Sequence, residues 1–405
     1  MADVALTLAR RWAQLPLPLR IALIYLSARV VTTGLMIAAA AQSTSLSRFG
    51  VEPGLVDFVL GWDAQWYWLV AEEGYPSDLP LTESGDVAEN AWAFMPVFAY
   101  AAKLLGLLFG SWGVGAFLLS FVAGYLACLA LHRLLRDRIG RSAAMWAVVF
   151  FSSGPLAAMF QVGYAETLFL LLLFLALDLT IRRRYGWLYV IIPVMAFTRP
   201  GILAFALFLG LHGIVRWIRR RDDPLGGRDV ANIIALGVLA TVCGFAWQAI
   251  AAIVTGDPGA YLATELSWRR NWIAGGVAGF VPFEGWVQAS QFWFAQWGLP
   301  SALGPVALVI LVAGASAVLL LSPQVRKLGS DLRLWSAGYL LYLLAVFFPQ
   351  SSTFRLLLPL SPLWGAVAVP RSRVWRFGVL TACLIGQWAW IHSMYALGNT
   401  FWQVP

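Results

Sequence analysis

The sequence predicts an all-α polytopic membrane protein with about eleven transmembrane helices, from its composition, its apolar runs and the placement of its basic residues. Of its 405 residues, 60% are apolar and 12% are charged, whereas soluble domains carry roughly 25% charged residues. The missing charge indicates that much of the surface faces lipid.

The net charge of +8 is compatible with nucleic acid as a partner. However, the basic residues lie in short clusters between apolar runs, which is typical of cytoplasmic loops and argues against nucleic acid.

Apolar runs long enough to cross a bilayer set the predicted topology. The N-terminus is predicted to be cytoplasmic, because the N-terminal segment and five later segments hold 21 of the 28 Lys and Arg residues and fall on alternate sides of the spans. We therefore expect a single transmembrane domain over residues 1–405 in the plasma membrane, with external loops at 43–111 and 255–296. The predicted spans lie near residues 20–42, 112–131, 143–162, 165–181, 187–199, 201–218, 230–254, 297–321, 334–348, 355–370 and 375–396.

The first external loop is the most unusual region, because residues 43–90 contain nine of the twenty acidic residues. Within it, residues 55–75 (LVDFVLGWDAQWYWLVAEEGY) have a helical pattern that places Trp62 and Trp66 on one face and Asp63 on an adjacent one. We expect this helix to lie along the membrane interface, with its tryptophans in the headgroup layer and Asp63 near the membrane surface.

Residues 91–109 (AWAFMPVFAYAAKLLGLLF) form an apolar run that is long enough to span. A span here would place the basic loop HRLLRDRIGR on the outside, against the bias of basic loops toward the cytoplasm. We therefore predict a re-entrant or interface-lying helix within the first external loop, kinked by Pro96.

Ionisable residues at membrane depth are costly and often functional. Asp178 lies close to the basic run at 182–184, so a structural ion pair is expected there. No partner is apparent for Arg29, which must face protein or a cavity. The full set at or near membrane depth is Arg29, Glu166, Asp178, Arg199 and Arg355.

Acidic and basic residues are predicted to gather at the outer side of the membrane. Two carboxylates, Asp63 and Glu166, suggest a general base or a metal site. Arginines beside them suggest a phosphate site, because the guanidinium fork matches phosphate oxygens. The alternative is a set of separate structural ion pairs. The arginines on this side are Arg199, Arg269, Arg270 and Arg355.

Five segments resemble, in order, motifs of the PIG-V family, the second mannosyltransferase of GPI-anchor synthesis, and of its bacterial relatives. GWDAQWYWLVAEEGYP resembles W-D-x-x-(W/H)-Y-x-x-I-A-x-x-G-Y, and AFMPVFAY resembles A-F-F-P-x-Y-P. SSGPLAAMFQVGYAETLF is similar to S-P-A-A-x-F-x-S-x-Y-S-E-S-L-F, FTRPGIL to A-R-S/P-N-G, and FRLLLPLSPLWG to R-x-x-x-P-x-x-P-L. The matches extend from Trp62 to Pro362, with departures from the family pattern that include Met95, Ala99 and Pro200.

This resemblance implies a GT-C type fold and the transfer of a sugar, mannose in the family, from a polyprenyl- or dolichyl-phosphate donor to a lipid or glycolipid acceptor. Asp63 takes the position of the family's catalytic acidic residue, and Glu166 that of its second-loop acidic residue. A divalent metal ion held by these two carboxylates is a candidate cofactor, and no particular protein partner is indicated. The predicted substrate-binding residues are Trp62, Tyr67, Tyr164, Arg199, Arg269, Arg270 and Arg355.

Two other classes of function are open at this point. A transporter or flippase for a lipid-linked anionic glycan would use intramembrane arginines as relays, but it predicts internal repeats, and none is seen between the halves of the chain. A catalytically inactive assembly partner is the other alternative, and the presence of both Asp63 and Glu166 favours an active enzyme over it. Two carboxylates are also the pattern of glycoside hydrolases, but a water-excluding interfacial site favours transfer to an acceptor.

Overall fold

The computed structural model describes residues 12, 14–270, 279–348, 352–398 and 405. Apart from an isolated bridge between Leu81 and Val87, all regular structure in these ranges is helical, which confirms the all-α prediction. The α-helices are α1 (Leu17–Ala40), α2 (Leu55–Val59), α3 (Asp63–Glu73), α4 (Pro96–Gly106), α5 (Trp112–Ile139), α6 (Arg141–Ser152), α7 (Glu166–Ile181), α8 (Leu188–Ala196), α9 (Ile202–Ile218), α10 (Gly227–Thr255), α11 (Ala260–Arg270), α12 (Glu284–Gln296), α13 (Leu303–Leu321), α14 (Pro323–Arg326), α15 (Ser330–Val346), α16 (Thr353–Leu356), α17 (Trp364–Ala368) and α18 (Arg373–Ile391). Short 3-10 helices lie at Ala91–Ala93, Ala157–Phe160, Tyr185–Trp187 and Leu358–Leu363, and a π-helical turn lies at His392–Ala396.

Five helices in the described part of the chain are long and apolar enough to cross a membrane, which confirms a multi-pass membrane protein. The predicted spans at 143–162, 165–181, 187–199, 201–218 and 334–348 coincide with helices of 9 to 17 residues. These helices are shorter than the roughly 20 residues that a typical span needs, so the count of about eleven stays a prediction. The five long helices are Leu17–Ala40, Trp112–Ile139, Gly227–Thr255, Leu303–Leu321 and Arg373–Ala396.

Helix α5 packs against α1, α4, α6 and α7. Its small residues allow these neighbours to approach closely. A Cβ added at Gly115 would collide with the carbonyl oxygen of Ala102 in α4, and one added at Gly124 would collide with the hydroxyl of Tyr25 in α1. This packing fixes the two helices, α1 and α5, between which the loop predicted to be the first external one lies.

The apolar run at 91–109 contains α4, a helix of 11 residues. At ~1.5 Å per residue it is about half as long as the ~30 Å hydrocarbon core, as expected for a segment that does not span by itself. Pro96 begins this helix, so the predicted kink at Pro96 is wrong. A proline in the first turn removes an N–H that has no partner within the helix, and it therefore does not disturb the helix.

Ion pairs join the helices at the end of the bundle predicted to be cytoplasmic. Asp178 in α7 pairs with Arg182 at 2.7 Å, which confirms the predicted local ion pair, and also with Arg133 of α5 at 2.9 Å. Nδ1 of His212 in α9 lies 2.7 Å from Oδ1 of Asp331 in α15. These contacts join α5 to α7 and α9 to α15 at the end of the bundle predicted to be cytoplasmic.

Arg29 is buried in the middle of α1 and caps the end of α6. Its guanidinium donates to the carbonyl oxygens of Ser152 and Ala157. It also lies 5.1 and 4.9 Å from the ring centroids of Tyr25 and Phe160. A helix C-terminus leaves carbonyl groups without partners and favours a cation, so these contacts explain Arg29 as a structural residue.

Cysteines introduced at Ser84 and Gly226 test the predicted topology, because both residues are exposed in loops predicted to face opposite sides. The native Cys128, Cys243 and Cys383 are buried, so background labelling should be low. In intact cells an impermeant thiol reagent should label Ser84→Cys but not Gly226→Cys. Gly226→Cys should be labelled once the cells have been permeabilised. Labelling of Gly226→Cys with protection of Ser84→Cys would invert the whole topology.

Candidate active site

The segment predicted as one interfacial helix, residues 55–75, is broken at Trp62. Helix α2 ends before Trp62, α3 begins at Asp63, and Trp62 has a φ of 55°, which is rare for residues other than glycine. The preceding Gly61 packs so closely that a Cβ there would collide with the ring of Phe49. Tertiary packing therefore overrides the helical pattern at this point.

Trp62 is buried in protein, so its predicted place in the headgroup layer is wrong. Its indole Nε1 donates to the carbonyl oxygen of Met394 at 3.1 Å, and the guanidinium of Arg48 lies 4.4 Å from the centroid of its ring. These contacts anchor the turn before Asp63 to the C-terminal part of the chain.

Two carboxylates stand at helix N-termini, since Asp63 is the first residue of α3 and Glu166 the first residue of α7. The helix dipole stabilises a negative charge at this position. The backbone N–H of Asp63 donates to the hydroxyl of Tyr164 at 3.2 Å, so the loop that presents Glu166 also holds the start of α3. The side chain of Glu166 is 2% exposed and that of Asp63 is 20% exposed.

Two arginines meet these carboxylates. Arg199 lies in the break between α8 and α9, where Gly201 has a φ of 135°, and its Nη2 lies 3.6 Å from Oε1 of Glu166. Arg355, on α16, contacts Oδ2 of Asp63 through Nη1, which also lies 3.3 Å from Oε1 of Glu166. We call Asp63, Glu166, Arg199 and Arg355 the carboxylate–arginine cluster.

The segment that carries Arg355 is held by α15. The hydroxyl of Tyr339 donates to the carbonyl oxygen of Leu356 at 2.7 Å, and Nε1 of Trp335 donates to that of Pro359 at 2.9 Å. Sequence reasoning missed these two positioning residues. Their spacing of four along an apolar helix places both ring donors on one face, which is a signal that the sequence does contain.

Burial governs the protonation of the site. It raises the pKa of the Asp63 carboxyl above its ordinary value, and Arg355 opposes this shift. Burial also raises the pKa of the Tyr67 and Tyr164 hydroxyls, and nearby negative charge adds to the effect. The tyrosines therefore stay protonated at neutral pH, and Asp63 is a stronger base than a solvated aspartate.

Two tyrosines flank the carboxylate–arginine cluster. The guanidinium of Arg355 lies 5.4 Å from the ring centroid of Tyr164. Tyr67 is buried edge-on against Phe94 and Phe98, with centroid distances of 5.3 and 5.1 Å. The structure thus brings together six of the residues predicted for the site, namely Asp63, Tyr67, Tyr164, Glu166, Arg199 and Arg355.

Arg269 and Arg270, the other two arginines predicted to bind substrate, make contacts elsewhere. Arg269 donates to the carbonyl oxygen of Val346 at 2.5 Å, and Arg270 to that of Val87 at 3.0 Å. Within the described part of the chain, neither arginine pairs with a carboxylate of the cluster. They join α11 to the end of α15 and to the first external loop. Residues 271–278, in the predicted second external loop, lie outside the described residues.

The donors of the cluster do not fit a divalent metal ion. Magnesium and calcium take about six or more oxygen ligands, whereas Asp63 and Glu166 are bridged by the guanidinium of Arg355. No group of three His, Cys, Asp or Glu side chains that could hold a metal occurs among the described residues. The two arginines already balance the charge of the two carboxylates, so we derive no step through a metal ion.

No protein-family model matches this sequence, and no curated protein matches it. Three solved structures of the oligosaccharyltransferase of Archaeoglobus fulgidus are similar in shape: a complex with zinc and sulfate, a form tethered to an acceptor peptide, and AglB with an inhibitory peptide and dolichol-phosphate. Their sequence identities are 13%, 12% and 14%, and their TM-scores are 0.44, 0.41 and 0.38. They cover 92%, 92% and 89% of this chain, which spans only 53%, 55% and 56% of theirs.

Neutralising Glu166 should destabilise the protein more than neutralising Asp63. Glu166 is buried between Arg199 and Arg355, and removing one partner of a buried ion pair typically costs about 3–5 kcal/mol. Asp63→Asn leaves Arg355 paired with Glu166. We therefore expect Glu166→Gln to lower the apparent melting temperature in detergent further than Asp63→Asn does.

The double variant Glu166→Gln/Arg199→Gln is the matched check, because it removes one positive and one negative charge together. It should recover part of the stability that Glu166→Gln loses. A melting temperature of Glu166→Gln equal to that of the wild type would show that these ion pairs contribute nothing to the fold.

Proposed function

We propose that the chain is a membrane-embedded glycosyltransferase that moves a sugar, mannose by the motif resemblance, from a polyprenyl-phosphate donor to a lipid or glycolipid acceptor at the outer face of the plasma membrane. The observation that carries this proposal is the carboxylate–arginine cluster. Four elements that are far apart in the sequence bring a base and two guanidinium groups to one place. The motif resemblance supports the reaction class, since Asp63 and Glu166 match the family's acidic positions.

Arg199 and Arg355 form the phosphate side of the proposed site. A guanidinium presents several N–H donors in one plane and matches phosphate oxygens bidentately. Nε of Arg355 is buried and makes no hydrogen bond within the described part of the chain. One N–H group of this guanidinium is therefore left without an acceptor in the described part of the chain.

The proposed reaction is a displacement at the anomeric carbon of the donor sugar. The acceptor oxygen forms a bond to this carbon, the bond from the carbon to the phosphate oxygen breaks, and the polyprenyl phosphate leaves with the electron pair. The proton of the acceptor hydroxyl passes to Asp63, the general base. Arg199 and Arg355 stabilise the negative charge on the leaving phosphate, so no protein acid is needed.

Arg355 couples donor binding to the action of the base, because it contacts Asp63 directly. A phosphate at this guanidinium competes with Asp63 for the same N–H donors. Once that ion pair weakens, the carboxylate lies in surroundings whose burial raises its pKa, so it accepts a proton more readily. Glu166 contacts both arginines and keeps them in place meanwhile.

Asp63→Asn should abolish most sugar transfer, because asparagine is nearly isosteric with aspartate but cannot take up a proton. With protein in nanodiscs, polyprenyl-phosphate-mannose and total membrane lipid, we expect transfer to fall about 10²–10⁴-fold. Glu83→Gln, an exposed change in the same loop, is the control and should be silent. If Asp63→Asn keeps more than about a tenth of the wild-type rate, far above that expected loss, Asp63 is not the base.

The pH profile is a second readout of the same substitution. A base acts in its deprotonated form, so kcat/KM should fall as the pH drops through the pKa of Asp63. Because burial raises this pKa, the fall should occur above the pH at which an ordinary aspartate titrates, with a pKa of about 3.9. The residual activity of Asp63→Asn should lack this acid limb. If kcat/KM of Asp63→Asn falls at low pH in the same way as that of the wild type, the titrating group belongs to another residue.

Lysine substitutions at Arg199 and Arg355 test the phosphate assignment, since lysine keeps the charge but loses the planar fork. We expect the KM for the donor to rise about tenfold, as for the loss of one charge-assisted hydrogen bond, with little change in melting temperature. Arg373→Lys, an exposed change at the start of α18, is the control. Unchanged donor kinetics in both test variants would exclude these arginines from the phosphate site.

A further inference from the structure

A small cavity lies beside α3 in the first external loop. Its volume is 240 Å³, somewhat below the roughly 300–1,000 Å³ of sites for drug-sized ligands, so it has room for one small ring. Aromatic, aliphatic and carboxylate side chains form its walls. The main lining residues are Trp66, Leu69, Glu73, Tyr75, Glu89 and Asn90.

The cavity lies along α3, the helix whose first residue, Asp63, belongs to the carboxylate–arginine cluster. Trp66, Leu69 and Glu73 follow one face of this helix at spacings of three and four residues. Asp63 is the first residue of the same helix. At ~1.5 Å per residue, Trp66 lies about 4.5 Å and Glu73 about 15 Å along the axis from Asp63. A ligand in this cavity therefore lies along the same helix as Asp63, within about 15 Å of it along the axis.

The aromatic walls of the cavity are fixed by their own packing. Trp66 stacks on Phe94 with a centroid distance of 5.6 Å and an interplanar angle of 9°. Tyr75 stacks on Trp92 at 4.7 Å, and its hydroxyl donates to the carbonyl oxygen of Phe94 at 2.8 Å. A ligand would thus meet rings that are already in place, which reduces the entropic cost of binding.

The charges around the cavity select against anionic and purely apolar ligands. Glu73 is exposed and makes no ion pair or hydrogen bond within the described residues, and Glu89 also faces the cavity. No Lys, Arg or His is among the lining residues, so a phosphate group would be repelled. Carboxylates accept hydrogen bonds from hydroxyl groups, whereas aromatic rings cover C–H faces. Hydroxyl edges and C–H faces occur together in a sugar ring.

We propose that this cavity binds a sugar of the acceptor, next to the sugar whose hydroxyl group is glycosylated at Asp63. The proposal rests on the proposed function and narrows its acceptor to a glycan or glycolipid with at least two sugar units. The bound ring lies one to three helical turns from the base. A ring at this distance cannot itself present the reacting hydroxyl, so it belongs to the next unit of the acceptor.

Saturation-transfer NMR with the protein in nanodiscs tests this cavity without relying on catalysis. The probes are methyl α-dimannoside and methyl maltoside, with methyl α-mannoside as the single-sugar comparison. Leu69→Trp fills the cavity and should reduce binding of the preferred disaccharide roughly tenfold or more, as for the loss of a well-packed contact. Glu73→Gln should reduce disaccharide binding about three- to tenfold, because a charged hydrogen-bond acceptor is replaced by a neutral one.

Glu72→Gln is the matched control. It makes the same change of charge one residue away, at a side chain that pairs with Lys103 at 3.3 Å and does not line the cavity. Binding in Glu72→Gln should equal that of the wild type. Failure of both disaccharides to bind the wild type, or equal binding in wild type and Leu69→Trp, would overturn the proposal.

Transfer assays distinguish this inference from the proposed function. With octyl α-dimannoside and octyl α-mannoside as acceptors, the wild type should prefer the disaccharide, and Leu69→Trp should lose this preference while still using the single sugar. If no donor is consumed with any acceptor but the disaccharide binds at the cavity, the transferase proposal fails and the sugar site stands. If the wild type and Leu69→Trp prefer the disaccharide acceptor to the same degree, the proposed sugar site is wrong, whereas the proposed transferase function is unaffected.

Discussion

The contact of Arg355 with both Asp63 and Glu166 is the interaction on which the side of the protein predicted to be external depends. It joins α16, α3 and α7, which are otherwise separated by long stretches of chain. Burying any one of these charges alone would be very costly, so each requires the others. The position of the first external loop is therefore fixed at the same point at which the proposed chemistry takes place.

A comparison with Arg29 supports the proposal that Arg355 binds a substrate phosphate. Arg29 donates to the carbonyl oxygen of Ser152 at the end of α6, to that of Ala157, and to Oε1 of Gln161 at 3.3 Å, and none of these acceptors carries a charge. The ion-pair partners of Arg355 in the described chain are two carboxylates, which a phosphate can replace because it offers the same kind of anionic oxygen. The two arginines thus differ in the chemistry of their acceptors, and this difference supports the role proposed for Arg355.

Much of the fold class and part of the site could be predicted from the sequence, and the reasons are local. Apolar runs and basic clusters indicate membrane helices, and the pair of Asp178 with Arg182 follows from a spacing of four residues. The break at Trp62 could not be predicted, since residues 55–75 have a continuous helical pattern and the collision of Gly61 with Phe49 is a tertiary contact. The sequence also could not predict that Arg199 and Arg355 meet the carboxylates whereas Arg269 and Arg270 do not. The charge of a loop indicates on which side of the membrane it lies, but not which residues it contacts.

The geometry of α3 links the two substrates of the proposed reaction. Its first residue is the proposed base, and its next two turns line the cavity proposed for an acceptor sugar, so a single rigid helix sets the distance between them. Lys103 of α4 donates to the carbonyl oxygen of Ala71 in this helix at 2.5 Å and thereby holds it against α4. The arginines proposed for the donor lie on other elements, α16 and the break between α8 and α9. In the proposed reaction, donor and acceptor meet at the contact of Arg355 with Asp63, and the acceptor sugar is positioned by α3, a helix that carries neither of the arginines proposed for the donor.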